Sequence, residues 1–153
     1  MKIRDVLSGK GDYVETIRPS VTVGEAVRLL ARLRIGALVV LEADDRLAGL
    51  IDEREILDAL AARGTDVLQM TVTHAMKRRP ARCEADQDVV RVMALMTRER
   101  VRHVLVMDGE RLVGIVSIGD LVKHRIQEAE LEVRVLRDYA RTRGLSTKPA
   151  SPR

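Results

Sequence analysis

Short apolar runs and helical apolar faces follow one another along the chain in an order that occurs twice. In the first half, two short apolar runs flank the polar turn Ala43-Asp44-Asp45-Arg46, which predicts a β-hairpin. Apolar residues at helical spacing lie before and after this hairpin and predict helices. The elements predicted for this half are a strand at 13–17, a helix at 23–34, strands at 37–41 and 47–51, and a helix at 53–63.

Polar residues and glycines predict where the helices begin and end. Thr22, with Glu25 three residues later, forms a capping-box pattern, and Gly36 is expected to close the helix that starts there. In the second half, Asp86 is expected to cap the corresponding helix. Asp108-Gly109 is a strong signal for the second hairpin turn. Each half therefore predicts the order β-α-β-β-α.

The two halves also match residue by residue. The run from Arg46 to Ile56 aligns without a gap with the run from Arg111 to Leu121, at an offset of 65 residues. Residues upstream of the hairpins align at an offset of 66, so the one-residue slip lies in the hairpin loops. Two tandem copies of one unit are the strongest pattern in the sequence, and the fold is predicted from them.

An apolar stripe continues beyond the second copy. Its members recur at spacings of 4, 3, 4, 3 and 4 residues: Val122, Ile126, Ala129, Val133, Leu136 and Ala140. The spacing predicts a helix about 20 residues longer than the repeat requires. Because most helical stability in proteins comes from packing of an apolar face, we expect the stripe to pack on its own module or, preferably, against a second subunit, since each half is complete without it. The tail at 144–153 is expected to be disordered.

The amino-acid composition argues against several classes of function. The chain has 153 residues, a net charge of +4 from 27 basic and 23 acidic residues, no Phe or Trp, and two Tyr. Mixed charge with so few aromatic rings argues against nucleic-acid binding by base stacking. The single cysteine, Cys83, is expected to be a buried strand thiol. No apolar run reaches membrane-spanning length, so we expect a cytoplasmic protein that does not associate with a membrane.

Catalytic and metal-binding patterns are weak. His74, His103 and His124 do not have the spacing of metal ligands. The sequence contains no phosphate-binding glycine motif and no nucleophile–base signature. We therefore expect no catalytic residue, no metal and no catalytic cofactor.

The turn from Ser117 to Asp120 is the main candidate for a binding site. It joins a predicted buried strand to a predicted helix. A hydroxyl and a carboxylate three residues apart fit a helix N-cap, which is the simplest interpretation. A helix start also attracts anions, and a carboxylate accepts hydrogen bonds from sugar hydroxyls.

Two motifs resemble the CBS domain. They are the run Gly114-Ile115-Val116-Ser117-Ile118-Gly119-Asp120 and the segment Arg100-Val101-Arg102-His103-Val104. Each copy is similar to a CBS domain, and the tandem over roughly 6–127 resembles a stand-alone CBS pair, or Bateman module. The resemblance implies an α/β (α+β) fold of two β-α-β-β-α repeats packed with pseudo-two-fold symmetry, followed by a long C-terminal helix. The expected segments are 1–64 for the first repeat, 65–72 for a linker, 73–127 for the second repeat, 128–143 for the helical extension and 144–153 for the tail.

The resemblance also implies which residues contact a nucleotide. Asp120 corresponds to the carboxylate that holds the ribose hydroxyls, and Ser117 to the hydroxyl near the ribose or phosphate. Further contacts fall on residues near the strand starts of both copies. These are Arg102 and His103 toward the phosphates, their small first-copy equivalents Gly36 and Ala37 beside the base, and Thr16 and Arg82 near the adenine edge or sugar.

The first copy departs from this motif. Asp52 stands where the hydroxyl is expected, and Glu55 stands where the carboxylate is expected. A second negative charge near a phosphate is unfavourable unless a cation compensates for it, and Arg54 is the expected cation. We therefore predict two unequal sites, of which the one built on Asp120 binds better.

The function implied by the resemblance is regulatory and non-catalytic. An adenine nucleotide would bind between the repeats, with AMP as the first choice, then ATP or ADP, with NAD also possible. A homodimer and an unidentified regulated protein would be the partners. The alternative is a ligand-free dimerisation or protein-interaction module in which the long helix is the working surface.

Overall fold

A computed structural model describes residues 1–144. The first half contains helix α1 (Ile3–Lys10), strand β1 (Thr16–Ile17), helix α2 (Val23–Leu33), strands β2 (Ala37–Leu41) and β3 (Leu47–Asp52), and helix α3 (Glu53–Arg63). Two short 3-10 turns, Gly64–Gln69 and Val72–His74, connect the halves. The second half contains strand β4 (Arg82–Glu84), helix α4 (Val89–Glu99), strands β5 (His103–Asp108) and β6 (Arg111–Ser117), and helix α5 (Ile118–Gly144).

Each half forms one three-stranded mixed sheet. The strand orders are β1-β2-β3 and β4-β5-β6, with the first pair of each sheet parallel and the second pair antiparallel. The registers match across the repeat, since Thr16 pairs with Val39 and Arg82 pairs with Leu105. The predicted β-α-β-β-α repeats and the long C-terminal helix are therefore confirmed.

The halves exchange their leading segments. Helix α1 packs into the core of the second half, where Ile3 is fully buried and its N–H donates to the carbonyl of Gln87 at 3.0 Å. The connecting segment packs into the core of the first half, where the N–H of Val72 donates to the carbonyl of Val21 at 2.8 Å. As a result, the end of α1 lies beside the start of α5, and this contact forms one wall of a cleft.

An apolar layer joins the two sheets. Val39, Leu50, Leu105 and Met107 form its buried centre, and each is at most 3% exposed. Val39 and Leu105 occupy equivalent positions of the two repeats, so the layer is approximately symmetric. This packing brings the strand-to-helix turn of each repeat to the interface between them.

Three local predictions are wrong. The first strand is shorter than 13–17, because only Thr16 and Ile17 pair with β2. Helix α2 does not run on to a glycine cap at Gly36; Arg34, with φ of 53°, is its left-handed C-cap. Asp88, not Asp86, caps α4 by accepting from the N–H of Val90 at 2.9 Å, because residues 84–87 form a turn before the helix.

Helix α5 extends well beyond the repeat. It has 27 residues, and Leu121 is its only buried residue. The predicted disordered tail lies, apart from Gly144, outside the described residues. Within residues 1–144, no helix is both long enough and apolar enough to cross a membrane.

Candidate functional site

Two clefts lie at the interface between the repeats. The first, which we call the Asp120 cleft, has a volume of about 510 Å³. It combines the end of α1, the α2–β2 junction and the start of α5. Its lining residues are Lys10, Tyr13, Val14, Glu15, Leu33, Arg34, Ile35, Gly36, Ala37, His103, Ile115, Ser117 and Asp120.

The second, which we call the Glu55 cleft, has a volume of about 580 Å³. It combines the start of α3 with the α4–β5 junction, so it repeats the plan of the first cleft. Its lining residues are Leu50, Asp52, Glu53, Arg54, Glu55, Leu57, Asp58, Lys77, Pro80, Ala81, Arg100, Val101, Arg102 and His103. His103 lines both clefts and is the wall that they share.

Ser117 and Asp120 form a reciprocal helix cap at the start of α5. The N–H of Asp120 donates to Ser117 Oγ at 3.1 Å, and the N–H of Ser117 donates to Asp120 Oδ2 at 2.8 Å. The same carboxylate oxygen accepts from Lys10 Nζ at 2.6 Å. The turn is therefore a helix cap, as its simplest interpretation predicted. It also lines a cleft.

The electrostatic environment keeps Asp120 ionised. Burial opposes its charge, but the Lys10 ammonium and the Ser117 N–H outweigh burial and hold the pKa of Asp120 below its ordinary value. Its side chain is 27% exposed and that of Lys10 is 30% exposed, so both can still be reached from the cleft. The turn thus presents a carboxylate and an ammonium group side by side.

The equivalent turn in the first repeat carries two carboxylates. Asp52 caps α3 by accepting from the N–H of Glu55 at 3.0 Å. Burial and the neighbouring negative charge of Asp52 raise the pKa of Glu55 above its ordinary value. This turn therefore holds its second carboxylate less firmly ionised than the Asp120 turn does.

His103, not Arg54, is the basic side chain paired with Asp52. Its Nδ1 lies 3.6 Å from Asp52 Oδ2, which is an ion-pair distance but too long for a hydrogen bond. Burial opposes ionisation of Asp52, but His103 and the Glu55 N–H hold the pKa of Asp52 below its ordinary value. Arg54 instead pairs with Asp58 one turn along α3, at 3.3 Å.

The other predicted contacts divide into residues inside and outside the clefts. Ala37 lines the Asp120 cleft and Arg102 lines the Glu55 cleft. Beside Gly36, an added Cβ would lie 3.0 Å from the His103 ring, so the imidazole fills the room that we assigned to a base. Thr16 and Arg82 are exposed on the edge strands and, within residues 1–144, line neither cleft.

Several basic cleft residues were missed by the sequence analysis. Arg34 and Arg100 are equivalent residues, have φ of 53° and 54°, and line the Asp120 and Glu55 clefts respectively. A left-handed conformation at a residue other than glycine is uncommon and costs about 1–2 kcal/mol. The offset of 66 pairs these two arginines in the sequence, and that signal was available. Lys10 and Lys77 had no such signal, because folding alone brings them to the clefts.

The fold is that of a tandem of CBS domains. The sequence profile of the CBS domain matches residues 3–62 and 72–126. The chain therefore belongs to the CBS-domain family, as the two motifs predicted.

Individual relatives agree with this assignment. The chain is similar to a mitochondrial CBS domain-containing protein of Arabidopsis thaliana, with 31% identity over 145 residues that cover 90% of this chain and 70% of the plant protein. A CBS-domain protein of Agrobacterium tumefaciens has a crystal structure that is 41% identical with a TM-score of 0.79, covering 81% of this chain and 92% of that one. The CBS domain pair of protein MJ0100, solved in complex with 5′-methylthioadenosine and S-adenosyl-L-methionine, is 25% identical with a TM-score of 0.70 and covers 80% of this chain and 98% of that one.

CBS pairs are regulatory modules, and some of them bind adenosine-containing ligands. No group of three or more His, Cys, Asp or Glu side chains is positioned to hold a metal ion in the part of the chain that the structure describes.

Proposed function

We propose that this chain is a non-catalytic regulatory module that binds an adenine nucleotide in the Asp120 cleft and transmits its ligand state to a partner protein. AMP is the first choice, followed by ATP or ADP, and then NAD. The proposal rests mainly on the observation that the ionised carboxylate of Asp120 and two basic side chains, Lys10 and Arg34, line one cavity of about 510 Å³. Cavities of roughly 300–1,000 Å³ are usual for small-molecule sites.

The ribose is assigned to Asp120. An ionised carboxylate accepts from two vicinal hydroxyls at once, and charge-assisted hydrogen bonds are stronger than neutral ones. The oxygen Oδ2 already accepts from Lys10 and from the Ser117 N–H, whereas no such bond involves Oδ1 among the described residues. The ribose would therefore bind chiefly through Oδ1 or displace the lysine.

The phosphate is assigned to the basic side chains of the same cleft. Lys10 offers an ammonium group, and the Arg34 guanidinium offers forked donors that suit phosphate oxygens. Because the carboxylates of Glu15 and Asp120 share this cleft with the two cations, a ligand with fewer phosphate charges is accommodated more readily, which supports AMP ahead of ATP. Tyr13, which is 78% exposed, lines the same cleft and supplies a ring against which a base can stack.

An adenosine moiety is further supported by the relative solved with two adenosine-containing ligands. The Glu55 cleft is proposed as the weaker site, because Asp52 replaces the hydroxyl and a phosphate at that turn would approach the carboxylates of both Asp52 and Glu55. Arg54 offsets less of that charge than expected, since it pairs with Asp58.

Transmission of the ligand state to a partner is supported by the fact that residues of both repeats line the cleft. Gly36 and Ala37 belong to the first repeat, while Ser117 and Asp120 belong to the second, so a bound nucleotide would contact both. A ligand shifts an equilibrium between two arrangements only by its differential affinity for them. A nucleotide that bridges the repeats would favour the arrangement in which the cleft is closed around it.

Isothermal titration calorimetry with AMP, ADP, ATP and NAD tests this function. We expect AMP to bind the wild type most tightly and Asp120→Ala to weaken it by about 10- to 100-fold, since charged hydrogen bonds are worth about 1.5–3 kcal/mol. Glu55→Ala is the matched control at the equivalent position and should leave the tight site within about threefold. Unchanged affinity in Asp120→Ala, or no binding of any nucleotide at millimolar concentration, would reject the proposal.

A ligand-free dimerisation or interaction module is the second candidate. Two observations favour it: Ser117 and Asp120 already satisfy each other as a helix cap, and α5 exposes a long apolar stripe. Thermal unfolding separates the two candidates, because a nucleotide at 100 times its Kd should add about 2.7 kcal/mol to the free energy of unfolding. The regulated partner and the cytoplasmic location stay predictions.

A further inference from the structure

Helix α5 carries apolar side chains that nothing in residues 1–144 covers. Ile126, Val133 and Leu136 are 54%, 46% and 67% exposed. They lie on the predicted stripe, whose 4-3 spacing equals the heptad spacing of a coiled coil. In proteins most helical stability comes from the packing of an amphipathic face, so the exposed face calls for a partner.

The residues on this face match a two-stranded parallel coiled coil. In heptad notation, the a positions are Ile126, Val133 and Ala140, and the d positions are Val122, Ala129 and Leu136. Ile126 and Val133 at a, with Leu136 at d, fit the combination of β-branched a and Leu d residues that favours two parallel strands. Leu131 and Val135 are also exposed, but they occupy the f and c positions on the other side of the helix.

The flanking charges select the parallel orientation. In a parallel pair, a g residue faces the e residue five positions later on the other helix. Arg125 would then face Glu130, and Glu132 would face Arg137, each twice by symmetry. In the antiparallel arrangement in which the two stripes overlap along their full length, Glu130 would face Glu130 of the second copy, and Glu132 would face Glu132 of the second copy. The parallel arrangement therefore gains four attractive contacts, whereas the antiparallel arrangement brings like charges together.

We infer that the stripe is the docking surface for α5 of a second copy of this chain, in a parallel two-stranded coiled coil. The two CBS pairs then lie at the same end of the coil. This interface goes beyond the proposed nucleotide site and does not depend on it. It also gives a physical reason why α5 continues past the repeat.

Disulfide trapping in the full chain tests the orientation. Ala129→Cys places one thiol at a d position, where the same residue of the partner lies within disulfide reach only if the helices are parallel. We expect a covalent dimer on mild oxidation. Leu131→Cys, at an outward f position, is the matched control and should stay monomeric on a non-reducing gel. The native Cys83 is buried and does not interfere.

Light scattering and a charge swap test the contacts themselves. We expect a dimer at 100 µM, dimerisation about tenfold weaker in Glu130→Arg, and recovery in Arg125→Glu/Glu130→Arg. Residues 125 and 130 are five apart and do not face each other on one helix, so recovery reports a contact between chains. Arg134→Glu, at an outward position, should change the dimer Kd by less than about twofold.

Three results would overturn the inference. They are a monomeric wild type at 100 µM, a dimer that persists unchanged in Ile126→Asp/Val133→Asp, and trapping by Leu131→Cys as efficient as by Ala129→Cys. All of these residues are exposed in the monomer, so the variants should keep the fold of the CBS pair, as an unchanged thermal unfolding midpoint would verify.

Discussion

His103 and Asp52 face each other across the interface between the two repeats, with 3.6 Å between Nδ1 and Oδ2. Their side chains are 16% and 14% exposed, so solvent screens the pair only weakly. The imidazole also fills the space beside Gly36 and lines both clefts. One side chain of the second repeat thus lies against the first repeat's turn and between the two candidate sites.

Removal of this imidazole should destabilise the pair of repeats. We expect His103→Ala to lower the free energy of unfolding by about 1–3 kcal/mol, because it opens a cavity and leaves the Asp52 carboxylate, which is only 14% exposed, without its basic neighbour. Urea denaturation measures the change. His124→Ala on α5 is the control and should cost less than about 0.5 kcal/mol. Equal effects of the two substitutions would contradict this role.

Equivalent glycines of the two repeats should tolerate a methyl group differently. A Cβ at Gly49 would lie 2.6 Å from the carbonyl oxygen of Lys77, which is backbone already hydrogen-bonded to Leu50. A Cβ at Gly114 would lie 2.8 Å from Leu7 Cδ2, the end of a flexible side chain.

We therefore expect Gly49→Ala to cost about 2–3 kcal/mol and Gly114→Ala to cost about 1 kcal/mol or less. Chemical denaturation of the two variants in parallel provides the measurement. A larger cost for Gly114→Ala would show that Leu7 is held more rigidly than the backbone at Lys77.

Acid should weaken the contact between α1 and α5. The folded-state pKa of Asp120 lies below its ordinary value of 3.8, so its stabilising contribution is fully present above that value. The contribution is lost as the pH falls through the lower, folded-state pKa. We expect acid unfolding of Lys10→Met to begin at higher pH than that of the wild type, because only the Ser117 hydrogen bonds then oppose the rise in the pKa of Asp120 that burial causes. Circular dichroism between pH 6 and pH 2 follows the transition, and identical curves would refute the prediction.

Substitution of the two arginines that have a left-handed backbone conformation should affect stability and nucleotide binding differently. Arg34→Gly relieves a backbone conformation that costs about 1–2 kcal/mol, offset by about 0.5–1 kcal/mol of glycine entropy. We therefore expect an unchanged or slightly higher Tm together with weaker AMP binding in the Asp120 cleft. Arg100→Gly is the matched variant and should leave that cleft unaffected. A marked loss of Tm in Arg34→Gly would contradict the strain argument.

Cys83 should be unreactive in the folded protein. Its side chain is buried, and burial raises the pKa of its thiol to about 12, so the thiolate is scarce at neutral pH. We expect a chromogenic disulfide reagent to modify Cys83 only at the rate of unfolding. Immediate reaction at pH 7.5 without denaturant would show that the strand β4 opens locally.

Much of the fold could be predicted from the sequence. The offsets of 65 and 66 residues identified the tandem, and the spacing from Val122 to Ala140 identified the long helix. These predictions succeeded because periodicity and repetition can be identified in the sequence without knowledge of which distant segments meet. The motif from Gly114 to Asp120 also sufficed to place the Asp120 turn at a cleft.

The tertiary structure alone decided which side chains meet. Lys10 reaches Asp120 although 110 positions separate them, because α1 packs into the core of the opposite repeat. His103 replaces Arg54 as the neighbour of Asp52 for a similar reason, since helix α3 directs Arg54 toward Asp58 while the interface between the sheets directs His103 toward Asp52. Local periodicity can be identified directly in the sequence. Contacts between distant segments depend on how the two halves exchange segments and pack, and no local sequence pattern indicates that arrangement.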